Sequence, residues 1–141
     1  MNNYRLNSIL ALLFLSFFSC KSQSVQFVYE NKSIVLNEME KRFDVEEKFN
    51  VFFESGFINE EVEVLIDSKK EYYDVLTTDN VIGLAKYYSF RELPKKNLKI
   101  ILPKTNINLE IVNIKGYKYV YINKKEKKYF VTISNRPHFY Y

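Results

Sequence analysis

The chain has 141 residues, with 21 Lys and Arg against 17 Asp and Glu and a formal net charge of +4. It holds 12 Phe, 12 Tyr, 3 Gly, one Cys, one His and no Trp. A single cysteine excludes an internal disulfide and a cysteine-based zinc site, a single histidine excludes a histidine metal cluster, and three isolated glycines cannot build a phosphate-cradling loop. The aromatic and β-branched enrichment favours strands over helices.

The chain opens MNNYRLNS, in which Arg5 is the one charged side chain, and continues ILALLFLSFF over residues 9–18. A ten-residue helix rises about 15 Å, roughly half a bilayer core. The run therefore reads as the apolar region of a secretory signal rather than a permanent span. Ser19 and Cys20 close it. This region resembles the type II signal peptide of bacterial lipoproteins, in which a lipobox of apolar and small residues ends in a cysteine. The resemblance implies a signal peptide over residues 1–19, cut before Cys20. It further implies a Cys20 thiol carrying diacylglycerol, an acylated amine (palmitate or a similar chain) and a tether over residues 20–24. Phe17 and Phe18 depart from the usual aliphatic-then-small pair. The plainer alternative is an ordinary signal cleavage that leaves Cys20 free or removes it. Two or three acyl chains give lasting attachment where one binds marginally. The implied location is the bacterial cell envelope. Lys21 stands where an inner-membrane retention aspartate would be, so the pattern favours the outer membrane.

Residues 25–141 suit one domain, large enough for one hydrophobic core. Charge is split along it. Residues 25–79 hold 14 acidic against 6 basic side chains, and residues 80–141 hold 3 against 13. A basic half suits anionic lipid, glycan or an acidic partner. Strands from the two halves that alternate in space would instead cancel the split locally.

In chain order, residues 26–30 and 33–36 are short apolar runs around Asn31-Lys32, which predicts a hairpin. Residues 37–47 read either as a helix capped by Asn37 with Glu40 three residues on, or as a charged loop. Phe49, Val51 and Phe53 alternate with Asn50 and Glu54. Val62, Val64 and Ile66 alternate with Glu61, Glu63 and Asp67, predicting a half-buried strand with a carboxylate-lined outer face. Residues 71–77 read as its return strand, 78–83 as a loop and 84–90 as another strand. Leu98, Ile100 and Leu102, then Ile107, Leu109 and Ile111, alternate before turns. Tyr117, Tyr119 and Tyr121 face opposite to Lys118, Val120 and Ile122. Tyr129, Val131 and Ile133 alternate after the charged turn NKKEKK. Strands at about ten-residue spacing with short connections predict an all-β fold: a single antiparallel β-sandwich of seven to nine strands after an N-terminal signal helix. The pattern from FFESGF through TTDNVIGLA to YVYINKKEKKYFVTISNRP resembles small exported immunoglobulin-like or transthyretin-like β domains. That resemblance brings no functional residues with it.

Catalytic chemistry finds little footing. His138, in RPHFYY, would need a nucleophile and an orienting acid to act as a base, and reads as a surface or packing side chain. Glu46/Glu47 and Glu60/Glu61/Glu63 are carboxylates of the type glycosidases pair, but alternating Glu on a strand is ordinarily a solvated face. Asp67, Asp74, Asp79 and Asn80 offer oxygens for calcium, and turn formation explains them without it. The reading is a non-enzymatic protein with no catalytic, cofactor-binding or metal residues.

The mixture of tyrosine and lysine is the suggestive feature. Tyr117, Tyr119 and Tyr121 with Lys118 form a stripe suited to stacking on sugar rings or anchoring a protein partner, or else a covered sheet face. Nucleic acid does not fit an anchored protein. The expected function is a lipid-anchored binding or interaction role with an envelope protein or glycan as partner. The alternatives are a glycan-binding accessory module and an envelope inhibitor or immunity protein.

Overall fold

The computed structural model describes residues 23–44, 48–91 and 97–140. Cys20 and the apolar run before it lie outside them. Nine strands carry the fold: β1 (Ser24–Tyr29), β2 (Phe49–Phe53), β3 (Glu60–Ile66), β4 (Lys69–Leu76), β5 (Lys86–Phe90), β6 (Asn97–Leu102), β7 (Ile107–Val112), β8 (Tyr119–Lys125) and β9 (Lys128–Ser134). One short helix, α1 (Glu38–Phe43), joins β1 to β2. The strands form a five-stranded sheet, β1-β9-β8-β2-β5, and a four-stranded sheet, β4-β3-β6-β7.

The alternation read from the sequence is the alternation of the core. Phe49, Val51 and Phe53 of β2 and Val120 and Ile122 of β8 pack with Tyr129, Val131 and Ile133 of β9 on the inner face of the larger sheet. Val62 and Val64 of β3 meet them from the smaller sheet, with Leu98, Ile100 and Leu102 of β6 and Leu109 and Ile111 of β7. Burying each such side chain contributes roughly 1.5–3 kcal/mol, so the two apolar faces hold the sheets together without a crosslink. Glu61 and Glu63 point outward from β3, half-exposed, in ion pairs with Lys104 and Lys70.

Two expectations change and one open reading is decided. The smaller sheet is antiparallel throughout, but the larger one is mixed: β1 runs parallel to β9, and β2 parallel to β8. Short connections imply antiparallel neighbours only when consecutive strands share a sheet. Here β2 leads into β3 across the sandwich, and β5 into β6, so apart from the β8–β9 hairpin, neighbours in the larger sheet come from distant parts of the chain. The hairpin over residues 26–36 is absent. Only β1 forms, and beyond it the Asn31 side chain accepts from the Ser33 amide at 3.0 Å. The ambiguous segment is α1, closed by a reciprocal capping box in which Asn37 and Glu40 each satisfy the other's amide at 2.8 Å. Residues 45–47 of that segment lie outside the described ones.

Candidate functional site

The outer face of the larger sheet is the part that alternation did not anticipate. Asn50 of β2 lies opposite Tyr119 of β8 and Ser89 of β5, and Phe52 lies opposite Tyr121 and Tyr87. Two rows therefore cross three strands with side chains about 5 Å apart. One row is aromatic: Phe52 stacks with Tyr87 at 5.6 Å and meets Tyr121 at 5.2 Å, while Tyr119 and Tyr121 stack at 5.9 Å.

A C-terminal strap after β9 covers these rows. The Tyr121 hydroxyl donates to the Arg136 carbonyl at 2.9 Å and accepts from the His138 amide at 3.0 Å. The His138 ring lies flat on Tyr121 at 3.7 Å. Phe139 meets Phe43 of α1 edge-on at 4.9 Å, and Tyr140 stacks with Phe52 at 5.6 Å. Glu54, just past β2, ties the strap down. Its carboxylate takes His138 Nδ1 and the Tyr140 hydroxyl, each at 2.6 Å, and the Asn123 amide on its other oxygen. Burial pushes the Glu54 pKa up, but these hydrogen bonds and the adjacent imidazole outweigh it and hold the carboxyl below its ordinary value. Burial likewise pushes the Tyr121 hydroxyl up, with less to oppose it, well above the usual phenol range. At the opposite corner Asp44 accepts from the Tyr119 hydroxyl at 2.8 Å and from Lys118 at 2.7 Å, and Arg136 pairs with Glu40 at 3.0 Å.

Between the strap, α1 and β5 lies a cleft of about 310 Å³. Tyr119 and Tyr121 form its floor, Phe52 and Tyr87 one wall, and Pro137 and His138 the other. Asn50, Ser89 and Lys48 add polar groups, with the Ser89 hydroxyl donating to the Asn50 carbonyl oxygen. Tyr87 is 56 % exposed and the floor is closed, so ring faces are offered only at the wall. A larger cleft of about 410 Å³, between the edges of β4 and β5, is lined by Ile66, Tyr72, Phe90 and Arg91.

The tyrosine stripe is thus divided and covered. Tyr119 and Tyr121 are 2 % and 0 % exposed under the strap, with Lys118 beside them on Asp44. Tyr117 precedes β8 and joins the inner core, its hydroxyl donating to the Glu30 carbonyl at 2.7 Å and Lys32 over its ring. His138 packs and bonds to Glu54. Glu60 is buried and accepts from Lys124, the Tyr129 hydroxyl at 2.9 Å and Thr105 at 3.2 Å, away from the outward Glu61 and Glu63. Glu46 and Glu47 lie outside the described residues, as does Cys20. Asp79 accepts from the Val81 amide at 2.8 Å, closing its own turn. Among the described residues no three His, Cys, Asp or Glu side chains gather as metal ligands. Sequence reasoning missed Phe52, Tyr87, Asn50 and Ser89. The available signal was FNVFFE, whose Phe52 puts an aromatic ring on the otherwise polar face of the strand, together with the aromatic stretch RPHFYY. No family model, no curated protein and no solved structure matches the chain.

Proposed function

We propose that this chain is a lipid-anchored bacterial envelope protein, of immunoglobulin-like or transthyretin-like build, with a non-enzymatic binding role exercised at the aromatic cleft. The observation that carries the binding site is Tyr87. It stands more than half exposed on a wall already stacked with Phe52, above a floor of buried rings. Rings held in place before contact lose little entropy on binding, which suits an anchoring site for an aromatic or aliphatic side chain of an envelope protein. The size of the cleft matches one such side chain or one sugar ring. Asn50 and Ser89 beside ring faces favour the sugar as a second reading, that of a glycan-binding accessory module. The anchor is supported by the signal-like run and Cys20, four residues before β1.

Crosslinking and affinity capture from intact envelopes, with the wild-type chain and Tyr87→Ala, test this reading. Wild type is expected to retain a partner that Tyr87→Ala holds about tenfold or more weakly, with the fold kept and stability lowered only by the lost ring stack, about 0.5–1.5 kcal/mol. An identical set of partners at identical affinity removes the cleft as the site. Tyrosine ring resonances that shift on titration with neutral oligosaccharides would select the glycan reading.

A further inference from the structure

The strand register gathers the chain entry and four connections at one end of the sandwich. Ser24 opens β1 beside Lys128, and its amide donates to the Lys127 carbonyl at 3.3 Å. The β8–β9 turn there carries Lys125, Glu126, Lys127 and Lys128, all exposed. The Lys124 amide donates to the Ser55 carbonyl at 2.9 Å, which brings in residues 55–59. The Thr78 amide donates to the Phe57 carbonyl at 2.9 Å and Thr77 accepts from the Asn59 amide at 3.0 Å, which brings in residues 77–84. Lys104, in the turn between β6 and β7, donates to the Asn59 carbonyl at 2.9 Å. These segments form one contiguous face.

Three apolar side chains project from it: Ile58 is 82 % exposed, Val81 89 %, and Ile82 is exposed beside Val81. They sit on two loops tied to each other, whereas Phe57, next to Ile58, is buried in the core. Scattered single apolar side chains are ordinary, but a group of them beside clustered lysines at the end where a tether enters is not scattered. The acids on these segments are Glu126 and Asp79, and Asp79 is turned onto the Val81 amide.

We infer that this end is a membrane-docking face: Ile58, Val81 and Ile82 enter the headgroup layer of a bilayer, and Lys125, Lys127 and Lys128 meet its anionic phosphates. Two observations select a lipid surface as occupant. One is the position of the entry, since the four residues from Cys20 to Ser24 span at most about 13 Å. The other is the pairing of apolar loop tips with cations, which suits the boundary between acyl chains and charged headgroups. The inference rests on the anchored reading proposed above for the first of these, and on the surface itself for the second. With this end down, the aromatic cleft lies on the flank of the sandwich, clear of the bilayer.

The test uses the full chain, purified from membranes and reconstituted into vesicles of phosphatidylcholine alone or with roughly a third phosphatidylglycerol. Ile58→Cys, Val81→Cys and, at the opposite end, Ser68→Cys are labelled with a polarity-sensitive dye. Emission is expected to shift to the blue on anionic vesicles at positions 58 and 81 and to stay water-like at 68. Replacing Lys125, Lys127 and Lys128 with Gln is expected to lower the shielded-to-open ratio about fivefold per lysine. Water-like emission at 58 and 81 on vesicles that carry the chain overturns the docking face. The intact mass of the wild-type chain reports on the anchor separately, because acyl chains on Cys20 add their mass to a chain that begins at residue 20. If that mass is absent, the anchor falls and the variants are read in a Cys20→Ser chain. Shielding at 58 and 81 on anionic vesicles would then still support the docking face, and failure to bind them would overturn it as well.

Discussion

At the scale of single residues, Gly56 is the position with the least latitude. It adopts φ +89°, and a Cβ there would lie 1.8 Å from the Lys124 carbonyl oxygen, a backbone atom that cannot turn aside. Gly56→Ala combines left-handed strain with a forced separation of the loop from β8, and is expected to cost about 3 kcal/mol or more. Gly83 is the comparison. Its φ is +71° but nothing lies within 4 Å of an added Cβ, so Gly83→Ala carries only the strain, about 1–2 kcal/mol. Urea midpoints for the two variants would check the difference. Glu54 is one residue that makes stability depend on pH. Its folded-state pKa lies below the ordinary 4.5, so the unfolded chain binds the proton more readily. The carboxylate therefore stabilises the fold fully above about pH 4.5, and that contribution is lost as pH falls through the depressed value. Asp74, held below its usual range by Lys86 and the Val75 amide, acts in the same direction from a more exposed site. Thermal midpoints measured by circular dichroism are expected to drop on acidification. In Glu54→Gln the midpoint at neutral pH should be lower and the acid limb shallower, with the remaining slope due to groups such as Asp74.

At the scale of elements, the strap is a third layer on part of the sandwich. Its ring contacts, His138 on Tyr121, Phe139 on Phe43 and Tyr140 on Phe52, are each worth about 0.5–1.5 kcal/mol beyond the area they bury. A chain ending at Pro137 is expected to lose roughly 2–4 kcal/mol in urea unfolding while keeping the nine strands, since all of them end by Ser134. Far-UV circular dichroism would confirm that the sheets persist. This layer also explains what the sequence did and did not reveal. Val62 and Val64 alternate with Glu61 and Glu63, one face dry and one wet, so that strand was legible from its period of two. In residues 119–122 of β8 both faces are apolar or aromatic, and Tyr119 and Tyr121 read equally well as a solvent stripe or a covered one. Only the strap decides, and it comes from residues 15 to 20 positions downstream with no periodic signature. Strand neighbours were illegible for a related reason. Alternation fixes which side chains face the core but not which strand lies alongside, so the parallel pairs were out of reach. Val35 shows the converse: its apolar run suggested a strand, yet it has no sheet to join and is exposed.

At the scale of the whole molecule, the charge split along the chain dissolves in space. Each sheet takes strands from both the acidic and the basic half. Lys86–Asp74, Lys104–Glu61, Lys118–Asp44, Lys124–Glu60 and Arg136–Glu40 all join one half to the other. The exposed ones, such as Lys86–Asp74 and Lys104–Glu61, are worth little singly, but together the pairs remove the large one-signed surface that the sequence suggested. The proposed anchor belongs to this scale too. Cells fed a clickable fatty acid are expected to label the wild-type chain and not Cys20→Ala, read on a gel after coupling the tag. Equal labelling of both, or of neither, would refute the lipid attachment. The parallel seat of β1 along β9 has a kinetic consequence. The ribosome releases β1 first and β9 last, and β1 has no neighbour in the larger sheet until β9 exists. Closure of that sheet must therefore wait until β9 has been made, so the seating of β1 joins the most widely separated strands of the fold and is a late step in its assembly.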